Sequence, residues 1–395
     1  MLQGRGWATA AEQKGTAAVK AKAIRTDQTL YMAMELSNTT WKLAFTTGEQ
    51  NPREINVPAR GTAAVQRAIA RTKEKFGLAA DTPVKSCYEA GRDGFWLHRF
   101  LASIGVDNLV VDPASIEKPR KHRAPKTDRL DAQKLLTCLM RHWRGEKRVW
   151  GVARVPTEAE EDERRLHRES ERLHKERSSH MARIKSLLVL HGIGTRRSME
   201  KKERIPLLKM WDGRPMPEAV RQEIEREYER LELLKAQIKA LRARQARQLA
   251  SPQTPGERKA QKMHRLKGVG PISALTLGKE FFGWRDFKNR REVGALAGLA
   301  GSPYASGDMD RDQGITKAGN RWIRRVMIEL SWNWLKFQPD SELSRWFCTR
   351  FAENGKRMRR VGIVAMARKL LVALWKYVDR NELPAGAELL DRGWA

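Results

Sequence analysis

The chain holds only three cysteines in 395 residues, Cys87, Cys138 and Cys348, and no two of them form a C-x-x-C pair. A disulfide framework and a thiolate zinc site are thereby excluded, and a reducing, cytoplasmic setting is expected. There is no apolar run near the roughly 18 residues that span a bilayer, and no apolar stretch among the lysines and arginines of the first thirty residues. Neither membrane insertion nor secretion is expected, so the sequon at Asn38-Thr39-Thr40 reads as a chance match. Acidic side chains are scarce beside basic ones, 47 against 77, which leaves a formal charge of +30. Self-repulsion of that size calls for a polyanionic partner, with nucleic acid the first candidate. The length suffices for two or three domains, each with its own core.

Patterning divides the chain. Residues 1–28 are polar and weakly patterned and read as a flexible leader. Leu30–Glu35, Trp41–Phe45 and Glu54–Val57 read as an antiparallel meander. Apolar residues Val65, Ala68 and Ile69 at helical spacing come next, then a strand at Val84–Tyr88, a helix at Phe95–Ile104 and a strand at Asn108–Val111. This alternation predicts an α/β layer fold over residues 29–156. The run from Lys118 to Lys126 is basic and broken by proline, an irregular loop ahead of a helix from Asp128. Over 157–250 the pattern changes to long charged helices. Leu166, Leu173, Ile184, Leu187 and Leu188 form one stripe, and Ile224, Leu231, Leu234, Ile238 and Leu241 another. An antiparallel hairpin, an intersubunit coiled coil and two solvated bundle helices are all compatible with these stripes. A mostly helical region follows over 257–380, then a tail at 381–395.

Four acidic residues stand where chemistry is possible. Glu35 ends the first strand, Glu89 follows Val84–Tyr88, and Asp128 and Asp131 share a helix face at spacing i, i+3. Carboxylates at the ends of buried strands are costly unless paired or holding a cation, and converging oxygens suit Mg²⁺. Singly, each also reads as a cap or a surface ion pair. Leu266-Lys-Gly-Val-Gly-Pro-Ile-Ser-Ala-Leu275 reads as a helix-hairpin-helix turn, in which Gly268 and Gly270 let a phosphate backbone approach; a tight helix connector is the equal alternative. Farther on, a glycine-rich polar loop is expected around Ser306, with Arg311, Lys317, Arg321, Arg324 and Arg325 near it to neutralise phosphate. An ordinary loop serine is the plainer reading, since no base is adjacent in sequence. Helices at Trp322–Phe337 and Lys356–Val378 begin with cations, Arg359 and Arg360 among them, which oppose the helix dipole and favour a bound anion. Lys118, Arg120, Lys121, Arg123 and Lys126 form a further basic cluster. Trp332, Trp346 and Tyr304 are candidates for stacking on bases.

Met34-Glu-Leu-Ser-Asn38, Tyr88-Glu-Ala-Gly-Arg-Asp-Gly-Phe95, Lys126-Thr-Asp-Arg-Leu-Asp-Ala132, and Ser306-Gly307 followed by Gly314-Ile-Thr-Lys-Ala-Gly-Asn320 together resemble the insertion sequence one-ten family of transposases, the bridge-RNA-guided DNA recombinases. The resemblance covers roughly Leu30 to Val378. It implies an N-terminal RNase H-like domain, similar to the RuvC-like Holliday-junction resolvases, with four metal-binding carboxylates in the order Asp, Glu, Asp, Asp. A helical linker and a C-terminal transposase domain with a nucleophilic serine would follow. By position the carboxylates are Glu35, Glu89, Asp128 and Asp131, with Glu35 where the family usually has Asp, and the nucleophile is Ser306. The implied chemistry is Mg²⁺-dependent strand exchange through a phosphoserine link. The implied partners are a bridge RNA, target and donor DNA, and further copies of the chain, dimers assembling to a tetramer. Nucleoid association in a prokaryotic cytoplasm is also implied. A resolvase-like nuclease using metal-bound water, and a catalytically silent nucleic-acid-binding protein, are the alternatives.

Overall fold

The computed structural model describes residues 28–113, 115–116, 128–146, 149–194, 202–306 and 309–390; for 128–130, 202, 204, 303–306 and 309–313 it describes the backbone only. The leader except Gln28, the Lys118–Lys126 loop and the last five residues of the tail lie outside the described residues. The chain divides into two compact units between Val155 and Pro156.

The first unit is built on a five-stranded sheet in the order β3-β2-β1-β4-β5. Strands β1 (Leu30–Glu35), β2 (Thr40–Thr46) and β3 (Arg53–Pro58) pair antiparallel, while β4 (Val84–Glu89) and β5 (Val106–Val111) extend the sheet in parallel. Both faces of the sheet are covered, which is why β1 and β2 read as nearly continuous apolar runs. Leu30, Met32, Met34, Trp41, Leu43 and Phe45 point to the face that packs with Val65, Ala68 and Ile69 of α1 (Thr62–Phe76) and Leu97 and Leu101 of α2 (Trp96–Ser103). The small residues Ala33, Ala44 and Cys87 point the other way, where α3 (Asp128–Trp143) lies with Ala132, Leu135, Leu136 and Leu139 against them. That helix shows the i, i+3, i+4, i+7 stripe of a helix buried on one side.

The second unit is mostly helical. After the short α4 (Glu158–Glu163), whose Thr157 and Glu160 form a reciprocal capping box, come α5 (Arg165–Leu190) and α6 (Glu218–Ala250). Leu173 meets Leu234 and Ile238, and Ile184, Leu187 and Leu188 meet Ile224, Tyr228 and Leu231. One helix therefore runs down as the other runs up. Of the open readings, the two stripes form an antiparallel hairpin within one chain.

Next are α7 (Pro255–His264), α8 (Pro271–Leu277), a single π-helical turn (Gly278–Phe282) and α9 (Arg290–Leu296). Strands β6 (Gly301–Ser306) and β7 (Met309–Ile315) pair antiparallel, and α10 (Arg321–Phe337), α11 (Glu342–Phe351) and α12 (Gly355–Arg380) complete the unit. The β6–β7 hairpin corrects the loop expected around Ser306. Its sequence has no alternating apolar pattern, and its strands are joined by backbone pairing; among the residues whose side chains are described, Ile315 packs against the core. That core is formed by Leu330, Trp334, Leu370, Leu371 and Leu374 with Phe281 and Phe282. Among the described residues no helix is long and apolar enough to cross a membrane.

Candidate active site

In the first unit, Glu35 and Glu89 end two parallel neighbouring strands. The register pairs Met34 with Tyr88, so the glutamates are the next residues at the same edge. Side chains alternate along a strand, and Ala33 and Cys87 face α3, so Glu35 and Glu89 project to that face too. The direction of α3 follows from its contacts. Near its end, Trp143 takes the Lys85 ammonium over its ring at 3.7 Å, and the Arg144 beyond it lies against Gly48 at the opposite end of β1. Midway, the Cys87 thiol donates toward the Leu135 carbonyl at 3.8 Å. Its first turn, with Asp128 and Asp131, is thus directed toward the strand ends that carry the glutamates.

A cavity of about 250 Å³ opens there, lined by Glu35, Glu89 and Asp93 among others. The Tyr88–Phe95 motif shapes its wall: Ala90 N–H donates to the Val111 carbonyl at 2.7 Å, and the Tyr88 hydroxyl donates to the Gly94 carbonyl at 3.0 Å. Asp93, which sequence reasoning did not single out, has its side chain buried in that wall and paired with Arg60 and Arg92. Burial pushes the Cys87 thiol well up, with Cys138 and the charge of Glu89 adding to the effect, so the one sulfur beneath the glutamates stays protonated. The donor set is all oxygen and suits a hard cation such as Mg²⁺. Among the described residues no three His, Cys, Asp or Glu side chains are gathered closely enough to hold a metal. The Asp128 side chain is outside that description.

In the second unit, Ser306 is the last residue of β6 and pairs with Met309; Gly307 and Asp308 between them are outside the described residues. The base of the hairpin is tightly fastened. Thr316 N–H donates to the Ala300 carbonyl and Asn320 N–H to the Leu296 carbonyl, at 2.9 and 2.8 Å. Gly319 has φ +119°, and a side chain there would collide with the backbone at Leu296 and Gly298, which accounts for the second glycine of the Gly314–Asn320 motif. Asn320 caps α10, its Oδ1 accepting from Trp322 and Ile323 N–H at 2.9 and 3.2 Å.

The same asparagine reaches a buried carboxylate that sequence reasoning missed. Glu280, in the π-helical turn, accepts from His167 Nε2 at 2.9 Å, Arg168 Nη2 at 2.6 Å and Asn320 Nδ2 at 3.2 Å. Burial pushes its carboxyl up, but the hydrogen bonds from His167 and Arg168 outweigh that and hold it at about 2. The adjacent charges Lys279 and Glu280 inside the otherwise largely apolar stretch Leu275–Phe282 were the available signal. Its partners on α5 lie more than a hundred residues away.

The basic candidates separate. Arg324 donates to the Lys317 and Ala297 carbonyls, and Arg325 is paired with Glu171 at 2.5 Å, so both hold the fold. Lys317, Arg321, Arg359 and Arg360 are exposed. The backbone of Arg311 pairs with Tyr304 across the hairpin. At the helix-hairpin-helix turn, Gly268 (φ +87°) is packed against Phe337, whereas Gly270 faces open space. Lys118, Arg120, Lys121, Arg123 and Lys126 lie outside the described residues.

The sequence signature of the transposase IS116/IS110/IS902 family matches residues 260–344. The chain is 40% identical over 380 residues to y4rJ of Sinorhizobium fredii, a protein named as a transposase, covering 92% of this chain and 96% of that one. It is 28% identical to y4qE of the same organism, also named as a transposase, over 69% of this chain and 63% of that one. It is 22% identical to the transposase for insertion sequence element IS1328 of Yersinia enterocolitica, over 80% and 90% of the two chains.

Proposed function

The chain belongs to the IS116/IS110/IS902 transposase family, and on that premise we propose that it cuts and rejoins DNA through Ser306, with Glu35, Glu89, Asp128 and Asp131 as the carboxylates that hold Mg²⁺. The observation that carries this reading is the placement of Glu35 and Glu89 side by side at the ends of β1 and β4, on the face toward which α3 directs its first turn. The strand order β3-β2-β1-β4-β5 supports the RNase H-like, RuvC-like assignment of this unit.

In this reading the Ser306 hydroxyl oxygen attacks a DNA phosphorus. A serine–phosphorus ester forms, the bond from phosphorus to the 3′-oxygen breaks, and the proton lost by the serine is balanced by the one the 3′-hydroxyl gains. The phosphodiester energy is conserved for rejoining. Bound by the four carboxylates, Mg²⁺ would supply charge neutralisation at the phosphate and ease deprotonation of the serine. The carboxylates belong to the first unit and Ser306 to the second, so the reaction requires them to meet within a chain or between copies in a homo-oligomer. A bridge RNA would read target and donor DNA by pairing while the protein grips backbone, in keeping with the +30 charge.

The test is a denaturing gel of labelled DNA incubated with protein, RNA and Mg²⁺. The native chain is expected to yield a covalent protein–DNA species that Ser306→Ala abolishes, with RNA binding unchanged. An undiminished adduct in the variant, or cleavage by the native chain with no covalent species, overturns the serine assignment.

A further inference from the structure

The second unit holds a cavity of about 1170 Å³ that the proposed chemistry does not use. It exceeds the roughly 300–1,000 Å³ of pockets for drug-sized molecules. Its rim carries Arg290 and Arg291 from the start of α9 and Lys356, Arg357 and Arg360 from the start of α12. All five are exposed, and among the described residues none has an acidic partner and no acidic residue lines the cavity. Cations in the first turns of two helices also oppose the helix dipoles. Such a concentration of unneutralised charge is relieved by a polyanion.

The floor has a different character. Leu299, Ile315, Val361 and Val364 line it, and Val361 is 52% exposed. Duplex DNA keeps its apolar base faces stacked inside and offers an aliphatic floor only sugars, phosphates and groove edges. Unpaired nucleotides expose those faces while their phosphates remain charged. Location narrows the choice further. Gly301, Gly314 and Ile315 line the cavity and form the open end of the hairpin whose far end is Ser306, roughly 17 Å along an extended strand.

We propose that this groove binds an unpaired DNA strand, with phosphates along the Arg290–Arg291 and Lys356–Arg360 rims and bases against the Val361 floor. Its purpose rests on the serine reading above: a strand released with a free 3′-hydroxyl has to be kept beside the hairpin until it is exchanged. Binding is nonetheless measurable without chemistry, so the two ideas fail separately. Loss of the Ser306 adduct result leaves the groove's affinity to be measured, and the converse also holds.

The experiment uses full-length Ser306→Ala protein and fluorescence anisotropy with a short labelled single-stranded DNA, the same sequence as a duplex, and the same sequence as RNA. Arg357→Gln/Arg360→Gln is expected to weaken single-stranded DNA binding at least tenfold and to lower the salt slope by about 1.4. Val361→Asp is expected to weaken it to a similar degree, and duplex affinity is expected to stay within twofold in both. Circular dichroism melting establishes that the variants fold, and since Arg357 and Arg360 are exposed the double variant decides if Val361→Asp does not. Unchanged single-strand affinity in the double variant, equal losses on single strand and duplex, or a loss confined to RNA each overturns the proposal.

Discussion

Asn320 Nδ2 donates to Glu280 Oε1 at 3.2 Å, joining the cap of α10 to a carboxylate buried in the π-helical turn. Because Glu280 also binds His167 and Arg168 of α5, one side chain connects the long helical hairpin to the segment that fastens the Ser306 hairpin. A buried carboxylate is tolerable only when its charge is this fully met. The π-helical turn is stabilised around it, with the Trp284 indole and Arg285 guanidinium donating to the Glu280 carbonyl at 3.1 and 2.8 Å.

Replacing Glu280 by Gln is expected to lower stability at pH 7 by about 3 kcal/mol, the worth of holding a carboxyl at about 2 against its ordinary 4.5. A depressed acid contributes fully above its unfolded pKa and loses that contribution as pH falls through the folded one. The gap in melting temperature between native chain and variant should therefore be constant above pH 5 and close between about 4.5 and 2. Melting curves across that range check it; a gap that widens with acid contradicts the assignment.

Asn320→Ala removes both cap hydrogen bonds and the Glu280 bond and is expected to cost about 1–2 kcal/mol. Asn320→Asp keeps the cap but sets a second carboxylate against Glu280. Its deficit should be larger at pH 7 than near pH 4, the same sense as Glu280→Gln, because protonating either carboxyl relieves the repulsion; differential scanning calorimetry at the two pH values checks it.

For Glu35, the expected outcome is a split between two variants. Glu35→Gln keeps the size and removes the charged oxygens, and it should reduce the Mg²⁺-dependent rate of adduct formation at least about a hundredfold. Glu35→Asp restores the family's usual residue and should stay within about tenfold of the native chain. Equal loss in both would mean that side-chain length matters at this position as much as charge.

Much of the first unit is legible in the sequence because its strands are buried on two faces. Nearly continuous apolar runs mark β1 and β2, shorter mixed runs bounded by turn residues mark β3, β4 and β5, and observed limits differ from the expected ones by a residue or two. The long helices are equally plain from their stripes, as Leu173 and Leu234 show. The Ser306 hairpin is not, since Gly301–Ile315 closes by backbone pairing and leaves no alternating pattern. Glu280 escapes notice for another reason: an acid in an apolar run reads as an anomaly until folding supplies His167 and Arg168. Sequence adjacency likewise groups Arg321, Arg324 and Arg325 as one basic patch, although carbonyl oxygens occupy Arg324 and Glu171 occupies Arg325.

Alongside the apolar patch of Ile184, Ile224 and Leu231 in the α5–α6 hairpin run polar cross-pairs, with His180 Nδ1 facing Glu227 Oε2 at 2.5 Å and Arg183 facing Glu223. Sliding the helices by one heptad would part Glu227 from His180 and leave it only Arg230 of its own helix. The pair fixes the alignment of the two helices, and α6 then holds points about 50 Å apart at a set distance.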